Sequence, residues 1–227
     1  MTPGRKQQGQ YSEELVAIPP FGLEGQLVLP SLCRAVIIFA HGSGSSRNSP
    51  RNRHVASALQ QIGFGTLLFD LLTESEAGNR ELVFDVELLA ERLLLATTWL
   101  GQRMERMPPR IGYFGASTGA AAALVAAAQP DCPVGAIVNR GGRPDLAGAA
   151  LPRVVAPTLL IVGSLDREVL GLNRQAMAHM RCKSKLLVVP GATHLFEEAG
   201  TLDQVIDHAG TWFSQHLLDG EAVNVSG

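Results

Sequence analysis

The stretch Arg110-Ile-Gly-Tyr-Phe-Gly-Ala-Ser-Thr-Gly-Ala120 decides the fold that this sequence predicts. Its apolar run, Ile111 to Phe114, is typical of a short buried strand, and the Ala-rich segment from Ala120 to Ala128 favours a helix. Between them lies a Gly-x-Ser-x-Gly pentapeptide centred on Ser117. A sharp turn between strand and helix would hold that serine at its tip in a strained conformation. The stretch therefore makes Ser117 a candidate nucleophile, and the alternative is a serine that only caps the helix.

The composition favours one soluble domain. The chain has 227 residues, of which 46% are hydrophobic, and this length can form a single large core. A net charge of -2 gives no electrostatic reason to expect nucleic acid or a membrane surface as a partner. We expect a single domain over residues 1–227 with polar tails at about 1–10 and 219–227, as a monomer or homodimer.

Several absences in the sequence point to a cytoplasmic protein. The first ten residues lack the apolar core of a signal peptide, and no run approaches the ~20 apolar residues of a membrane span. Three scattered cysteines make neither a disulfide framework nor a metal pattern. No His, Asp or Glu pair shows metal-ligand spacing, so we expect neither a metal nor a cofactor.

Apolar runs that alternate with helical patterns predict an α/β fold, with a mostly parallel sheet, helices on both faces and an antiparallel amino-terminal edge. The predicted strands are 13–18, 23–29, 35–40, 65–69, 111–114, 134–138, 158–162 and 185–189. The predicted helices are 52–62, 81–102, 120–128, 172–180 and one that opens at Thr201 with a capping-box pattern. About twenty residues separate the strands ending at Val138 and beginning at Thr158, too few for a large cap domain.

Three reactive residue types follow strands of this predicted sheet, in the order Ser117, Asp166 and His194. Loops beyond the carboxyl ends of parallel strands meet at one edge of a sheet. A serine hydroxyl needs an imidazole to take its proton, and a carboxylate orients that imidazole. We therefore predict that Ser117 is the nucleophile, His194 the base and Asp166 the orienting acid.

Other residues compete for the same roles. Asp70 and Asp145 also follow strands, but Asp166 lies one strand nearer His194. Glu197 and Glu198 are interpreted as a solvated rim. Five other histidines are less favoured as the base: His41, His54, His179, His208 and His216. Three of these five fall on predicted helices.

The loop His41-Gly-Ser-Gly-Ser-Ser46 has the composition of an oxyanion loop. Acyl transfer builds negative charge on a carbonyl oxygen, and fixed N–H donors stabilise it. We expect one donor to be the N–H of Thr118, directly after the nucleophile, and the other to be the N–H of Ser43. A flexible Gly/Ser turn is the alternative.

These motifs together resemble the α/β-hydrolase family, and within it the small dienelactone-hydrolase-like group without a large lid. The resemblance covers about Leu15 to Leu217 and rests on His41-Gly-Ser-Gly44, the pentapeptide around Ser117, Gly163-x-x-Asp166 and Gly191-x-x-His194. It implies the same triad and the same oxyanion donors. Dienelactone hydrolases proper use a cysteine nucleophile, so the serine at position 117 means that the lactone substrate does not transfer.

Two function classes remain open. The first is a serine hydrolase that cleaves a small carboxylic ester, thioester or lactone, or transfers the acyl group to another acceptor. The second is a binding module that has kept the fold without catalysis. Arg140 follows a strand near the same rim, and Arg47, Arg51 and Arg53 follow the predicted oxyanion loop. We take Arg47 and Arg140 as candidates for binding an anionic part of a small acyl substrate, with surface exposure or structural pairing as the alternative.

Overall fold

The computed structural model describes residues 6–8, 11–105 and 108–218. Its strands form one nine-stranded sheet in the order β1-β2-β3-β5-β4-β6-β7-β8-β9. The strands are β1 (Lys6–Gln8), β2 (Tyr11–Ile18), β3 (Leu23–Pro30), β4 (Ala35–Ala40), β5 (Gly65–Phe69), β6 (Arg110–Ala116), β7 (Val134–Arg140), β8 (Thr158–Gly163) and β9 (Ser184–Val189). The helices are α1 (Pro50–Gln61), α2 (Glu74–Ala77), α3 (Arg80–Val83), α4 (Val86–Arg103), α5 (Thr118–Ala127), α6 (Arg167–His179), α7 (Thr201–Leu217) and a 3₁₀ segment (Pro144–Arg153).

The predicted fold class is confirmed. Strands β4 to β9 pair in parallel, and β1, β2 and β3 add an antiparallel edge that joins β5. Strand β4 is buried along its whole length because both faces of the sheet are covered. Its alternate residues enter two cores: Val36, Ile38 and Ala40 face α4 and α5, and Ala35, Ile37 and Phe39 face α1 and α7.

The predicted helix over 81–102 is wrong at its start. The structure ends α3 at Val83 and begins α4 at Val86, because the Asp85 side chain accepts the Leu88 N–H at 3.0 Å as an N-cap. The apolar stripe that motivated the prediction is present from Leu89 to Leu100 and is buried.

The amino end of α7 also differs from its prediction. Gly200 occupies the N-cap position with φ of 73°, and Thr201 is the first helical residue. The Thr201 hydroxyl donates to the carbonyl of Glu198 at 2.7 Å, so it does not form the expected capping box.

Three short elements were not predicted. Strand β1 lies within the segment expected to be a polar tail, and α2 and the 3₁₀ segment lie in stretches to which no element was assigned. The 3₁₀ segment occupies most of the connection between β7 and β8, where no large cap was expected. The predicted tail 219–227 lies outside the described residues. No helix in the described ranges is long and apolar enough to cross a bilayer.

The close approach of α5 to β4 makes a sharp stability prediction. A Cβ at Gly119 would overlap the backbone carbonyl oxygens of Ala40 and His41. We expect Gly119→Ala to destabilise the protein by about 3 kcal/mol or more, since backbone atoms must move apart.

Gly171, inside α6, supplies the matched control because a Cβ added there would have no atom within 4 Å. Gly171→Ala is expected to stabilise the protein by about 0.5–1 kcal/mol through helix propensity. Urea unfolding of both variants measures the two effects, and equal stability of Gly119→Ala and the unchanged protein would contradict the packing described.

Candidate active site

Ser117 lies on a strained turn between β6 and α5. Its backbone has φ of 52° and ψ of -122°, a region that a residue with a side chain rarely adopts. The neighbouring glycines permit the turn: a Cβ at Gly115 would lie 2.6 Å from the Cα of Ala120, and Gly119 lies against β4. The conformation lifts the half-buried Ser117 side chain out of the sheet. This is the geometry of a nucleophile elbow.

Asp166 and His194 come together beyond the ends of β8 and β9. The Nδ1 atom of His194 lies 2.7 Å from the Oδ2 atom of Asp166. The Asp166 side chain is 14% exposed and the His194 side chain 39% exposed, so the ring reaches further towards solvent than the partly buried carboxylate. A carboxylate at Nδ1 holds the proton on that nitrogen and leaves Nε2 as an acceptor.

Ser117 and His194 line the same pocket, which has a volume of about 290 Å³. Its wall also contains part of the predicted oxyanion loop, the beginning of α1 and the end of β7. The lining residues are Gly42, Ser43, Ser45, Ser49, Arg51, Asn52, Ala116, Ser117, Arg140, His194 and Leu195. The structure thus brings the serine and the histidine predicted from sequence to one cavity, with Asp166 behind the histidine.

The loop that carries His194 is held in place by two acidic residues. Glu198 accepts hydrogen bonds from the Thr193 N–H at 3.1 Å and from the Thr193 hydroxyl at 2.6 Å. Glu197 forms an ion pair with Arg51 at 3.0 Å, which links this loop to the start of α1. The two carboxylates, interpreted from sequence as a solvated rim, are solvent-accessible and also hold this loop through these contacts.

The loop after β4 packs directly against the nucleophile. A Cβ at Gly42 would lie 2.8 Å from the Cβ of Ser117, so only glycine leaves room there. The Ser43 N–H donates to the side-chain hydroxyl of Thr118 at 2.8 Å. Both residues predicted as oxyanion donors are therefore in contact with each other beside Ser117.

His41 anchors this loop and is not placed as the base. Its Nε2 accepts the N–H of Leu71 at 3.1 Å, and its Nδ1 lies 3.0 Å from the carbonyl of Gly42. Burial lowers the pKa of His41, although the Gly42 carbonyl and Asp70 oppose the shift. The ring is thus a neutral structural link between two loops.

The rival acids are committed elsewhere. Asp70 accepts hydrogen bonds from the backbone and guanidinium of Arg47, and Asp145 accepts from Arg143 at 2.8 Å. The acid bonded to His194 is Asp166.

The two candidate arginines lie in different environments. Arg47 is outside the small pocket, in an adjoining cleft of about 980 Å³, where it pairs with Asp70 and Glu24. Burial opposes its charge, but these two carboxylates outweigh the burial and raise the pKa of Arg47. This pairing does not favour Arg47 as a receptor for an anionic substrate, and the structural alternative describes it better.

Arg140 is buried in the wall of the small pocket, on β7 beside Ala116. It is only 6% exposed, and among the described residues no carboxylate is bonded to it. Its Nη2 lies 3.5 Å from the Oδ1 of Asn52, its guanidinium lies over the Phe196 ring, and its Nε is buried without a partner. Burial and the nearby charge of Arg51 lower the pKa of Arg140 to about 10.

Sequence reasoning missed Asn52 as a pocket residue and did not select Arg51. Both lie at the start of α1, whose Pro50 at the first helical turn and Ser49 N-cap fix where the helix begins. The position where α1 begins could have identified these pocket residues from the sequence. The helix follows the predicted oxyanion loop, so its first turn faces the same cavity. Within the described ranges, no group of three or more His, Cys, Asp or Glu side chains is placed to hold a metal ion.

Known proteins resemble this chain in sequence and fold, although no family model matches it. Two Mycobacterium tuberculosis proteins, from strains CDC 1551 and H37Rv and each named "Putative phosphoribosyl transferase", are 58% identical over 205 residues. This match covers 90% of the chain and 46% of each relative, so the chain spans about half the length of the curated relatives it matches.

Solved structures give the same fold over the whole length. An esterase of Butyrivibrio proteoclasticus has a TM-score of 0.73 at 15% identity and covers 90% of this chain and 98% of its own; at that identity the likeness shows the fold alone. A dienelactone hydrolase from Anabaena variabilis is 48% identical with a TM-score of 0.87, covering 96% of this chain and 100% of its own. On that likeness, which spans almost the full length of both proteins, the chain belongs to the dienelactone-hydrolase-like group of the α/β-hydrolase family.

Proposed function

We propose that this protein is a serine hydrolase that cleaves a small carboxylic ester, thioester or lactone through an acyl-enzyme at Ser117. Its structural neighbours, which include esterases and a dienelactone hydrolase, support a hydrolase. The observation that carries the finer proposal is the shared pocket of Ser117 and His194, with the His194 Nδ1 at 2.7 Å from Asp166. A strained serine, an imidazole and a carboxylate that orients the imidazole are the parts that acyl transfer needs.

The reaction follows from the position of each group. Ser117 Oγ attacks the acyl carbon while the Nε2 of His194 takes its proton, and the carbonyl electrons move onto the oxygen. Asp166 stabilises the imidazolium that forms. The carbon–oxygen or carbon–sulfur bond to the leaving group then breaks, and His194 returns the proton to that group. Water, activated by the same histidine, hydrolyses the acyl-enzyme.

Experiments can distinguish this proposal from three alternatives: a binding module, an acyltransferase and a phosphoribosyl transferase. A binding module with this fold would not acylate Ser117, and an acyltransferase would pass the acyl group to an acceptor other than water. The name of the mycobacterial relatives describes phosphoribosyl transfer, but it belongs to proteins about twice as long. Our proposal of hydrolysis concerns this chain and the part of each relative that it matches.

Labelling with a fluorophosphonate tests the nucleophile directly. We expect the unchanged protein to be labelled and Ser117→Ala to be unlabelled, with ester hydrolysis reduced by about 10⁴-fold or more. Ser45→Ala, a serine in the same pocket wall, is the matched control and should remain labelled. Intact-protein mass spectrometry locates the adduct, and labelling that persists in Ser117→Ala would overturn the proposal.

We propose further that the substrate carries an anionic group that binds at Arg140. A buried guanidinium without a carboxylate is costly, and the proximity of Arg51 adds repulsion. An anion in the pocket would relieve both penalties, with Asn52 fixing the orientation of Arg140.

Matched esters test this anion preference. The ratio of kcat/KM for 4-nitrophenyl hemisuccinate to that for its methyl ester should fall about 10–100-fold in Arg140→Met, because a charged hydrogen bond is worth about 1.5–3 kcal/mol. In the unchanged protein the ratio should fall as the pH rises past about 10, where Arg140 loses its proton. Arg47→Met should leave the ratio unaltered, and an unchanged ratio in Arg140→Met would remove the anion proposal without touching hydrolysis.

The buried charge of Arg140 also leads to a stability prediction. Arg140→Met should weaken the preference for anionic esters but stabilise the fold. Because the unpaired charge of Arg140 is buried, Arg140→Met should raise the free energy of unfolding by on the order of 2 kcal/mol at pH 7. The gain should shrink as the pH rises above about 10, since the native protein then no longer buries a charge there. Urea unfolding at pH 7 and 10.5 measures the change, and a strongly destabilised Arg140→Met would show that the guanidinium has structural partners.

A further inference from the structure

The N–H of Ser43, the expected second oxyanion donor, is engaged by the side-chain hydroxyl of Thr118 at 2.8 Å. The two residues are 75 positions apart and meet because Gly42 packs directly against Ser117. The Thr118 side chain is buried at the first position of α5, where only 4% of the residue is exposed. The contact therefore lies inside the site.

The hydroxyl of Thr118 has a proton to spare. A hydroxyl has one proton and two lone pairs, and the Ser43 N–H occupies one of those lone pairs. In the part of the chain that the structure describes, this is the one hydrogen bond of that hydroxyl. The usual acceptor for a helical threonine, the carbonyl four residues earlier in the helix, does not exist at the first helical position. Among the described residues the proton therefore has no acceptor, and it belongs to the residue directly after Ser117.

The backbone of the same residue points the same way. The first N–H groups of a helix have no acceptor within the helix, and the N terminus of α5 carries a partial positive charge. No acidic residue lies in the first turn of α5 to offset that charge. The backbone N–H and the side-chain O–H of Thr118 are therefore two donors on the residue that directly follows Ser117, where an attack by that serine would develop negative charge.

We propose, resting on the serine hydrolase assignment, that the Thr118 hydroxyl is a donor to the substrate oxyanion. When Ser117 adds to the acyl carbon, the carbonyl oxygen gains the electron pair and accepts hydrogen bonds from the Thr118 N–H and Oγ1–H. The Ser43 N–H acts through Thr118: it holds Oγ1 in place and polarises the O–H bond. No proton leaves Thr118 in this step, and the hydrogen bonds weaken when the carbonyl re-forms.

Substitutions at position 118 separate this role from an alternative. In that alternative the Thr118 hydroxyl accepts the Ser43 N–H only until a substrate oxygen takes its place. Thr118→Val keeps the side-chain shape and removes the donor, so kcat should fall about 10²-fold with little change in KM. Thr118→Ser keeps the hydroxyl and should retain kcat within a few-fold. Thr211→Val, on an exposed face of α7, is the matched control and should behave as the unchanged protein.

A trifluoromethyl ketone supplies a second readout, because its adduct with Ser117 carries an oxyanion. Its affinity should fall in Thr118→Val by the same factor as kcat/KM. Wild-type kcat and ketone affinity in Thr118→Val, or equal losses in Thr118→Val and Thr118→Ser, would overturn the proposal. Should Thr118→Val fail to fold in thermal unfolding, Thr118→Ala compared with Thr118→Ser decides by the same criteria.

The failure of this inference is distinguishable from failure of the proposed function. Absence of Ser117-dependent fluorophosphonate labelling in the unchanged protein would remove the hydrolase assignment itself. Ser117-dependent labelling and hydrolysis together with an undiminished kcat in Thr118→Val would remove only the role of the hydroxyl.

Discussion

The structure of the site depends on one strained backbone position, Ser117, with φ of 52° between a central strand and a helix. Strain of this kind costs of order 1–3 kcal/mol and persists only where the surroundings enforce it. Here the enforcing contacts are backbone to backbone: Gly115 lies against the start of α5, and Gly119 against the end of β4. The small alanine side chains inside α5 allow the helix to pack this close to the sheet. Every residue of α5 is buried. The position of the serine is therefore set by this close packing together with its backbone hydrogen bonds: its N–H donates to the carbonyl of Arg140, and its carbonyl accepts from the N–H groups of Ala120 and Arg143.

Much of this arrangement was predictable because its determinants are local in sequence. Continuous apolar runs identify strands buried on both faces, and the predicted bounds of β4 and β5 match the structure. Strands β6, β8 and β9 run in parallel and end at the same edge of the sheet, which brings the loops of Ser117, Asp166 and His194 to that edge. Where a polar side chain competes with the apolar pattern, the prediction fails. Asp85 caps a new helix inside a stripe that looks continuous, since the apolar spacing says nothing about where the backbone N–H groups find acceptors.

The pairing of charges was not predictable for a related reason. Arg47 and Arg140 are equivalent as sequence features, yet Arg47 pairs with two carboxylates, whereas Arg140 is buried with no carboxylate of the described residues bonded to it. Their partners lie on elements distant in the chain: Glu24 on β3, Asp70 after β5 and Asn52 on α1. The contact between Ser43 and Thr118 was hidden in the same way, because sequence assigns both as backbone donors and cannot show a side chain lying between them.

The contrast between the two arginines is itself informative about the pocket. This chain supplies two acids to Arg47, which is partly exposed and needs them least, and bonds no carboxylate of the described residues to Arg140, where burial is nearly complete. The guanidinium of Arg51, which pairs with Glu197, lines the same cavity, and the N terminus of α5 begins directly after Ser117. The carboxylate nearest to the chemistry, Asp166, is already bonded to His194. If Ser117 attacks a carbonyl as we propose, a cavity that holds the buried guanidinium of Arg140 beside it suits negative charge brought by a ligand and the charge that forms on the carbonyl oxygen during attack.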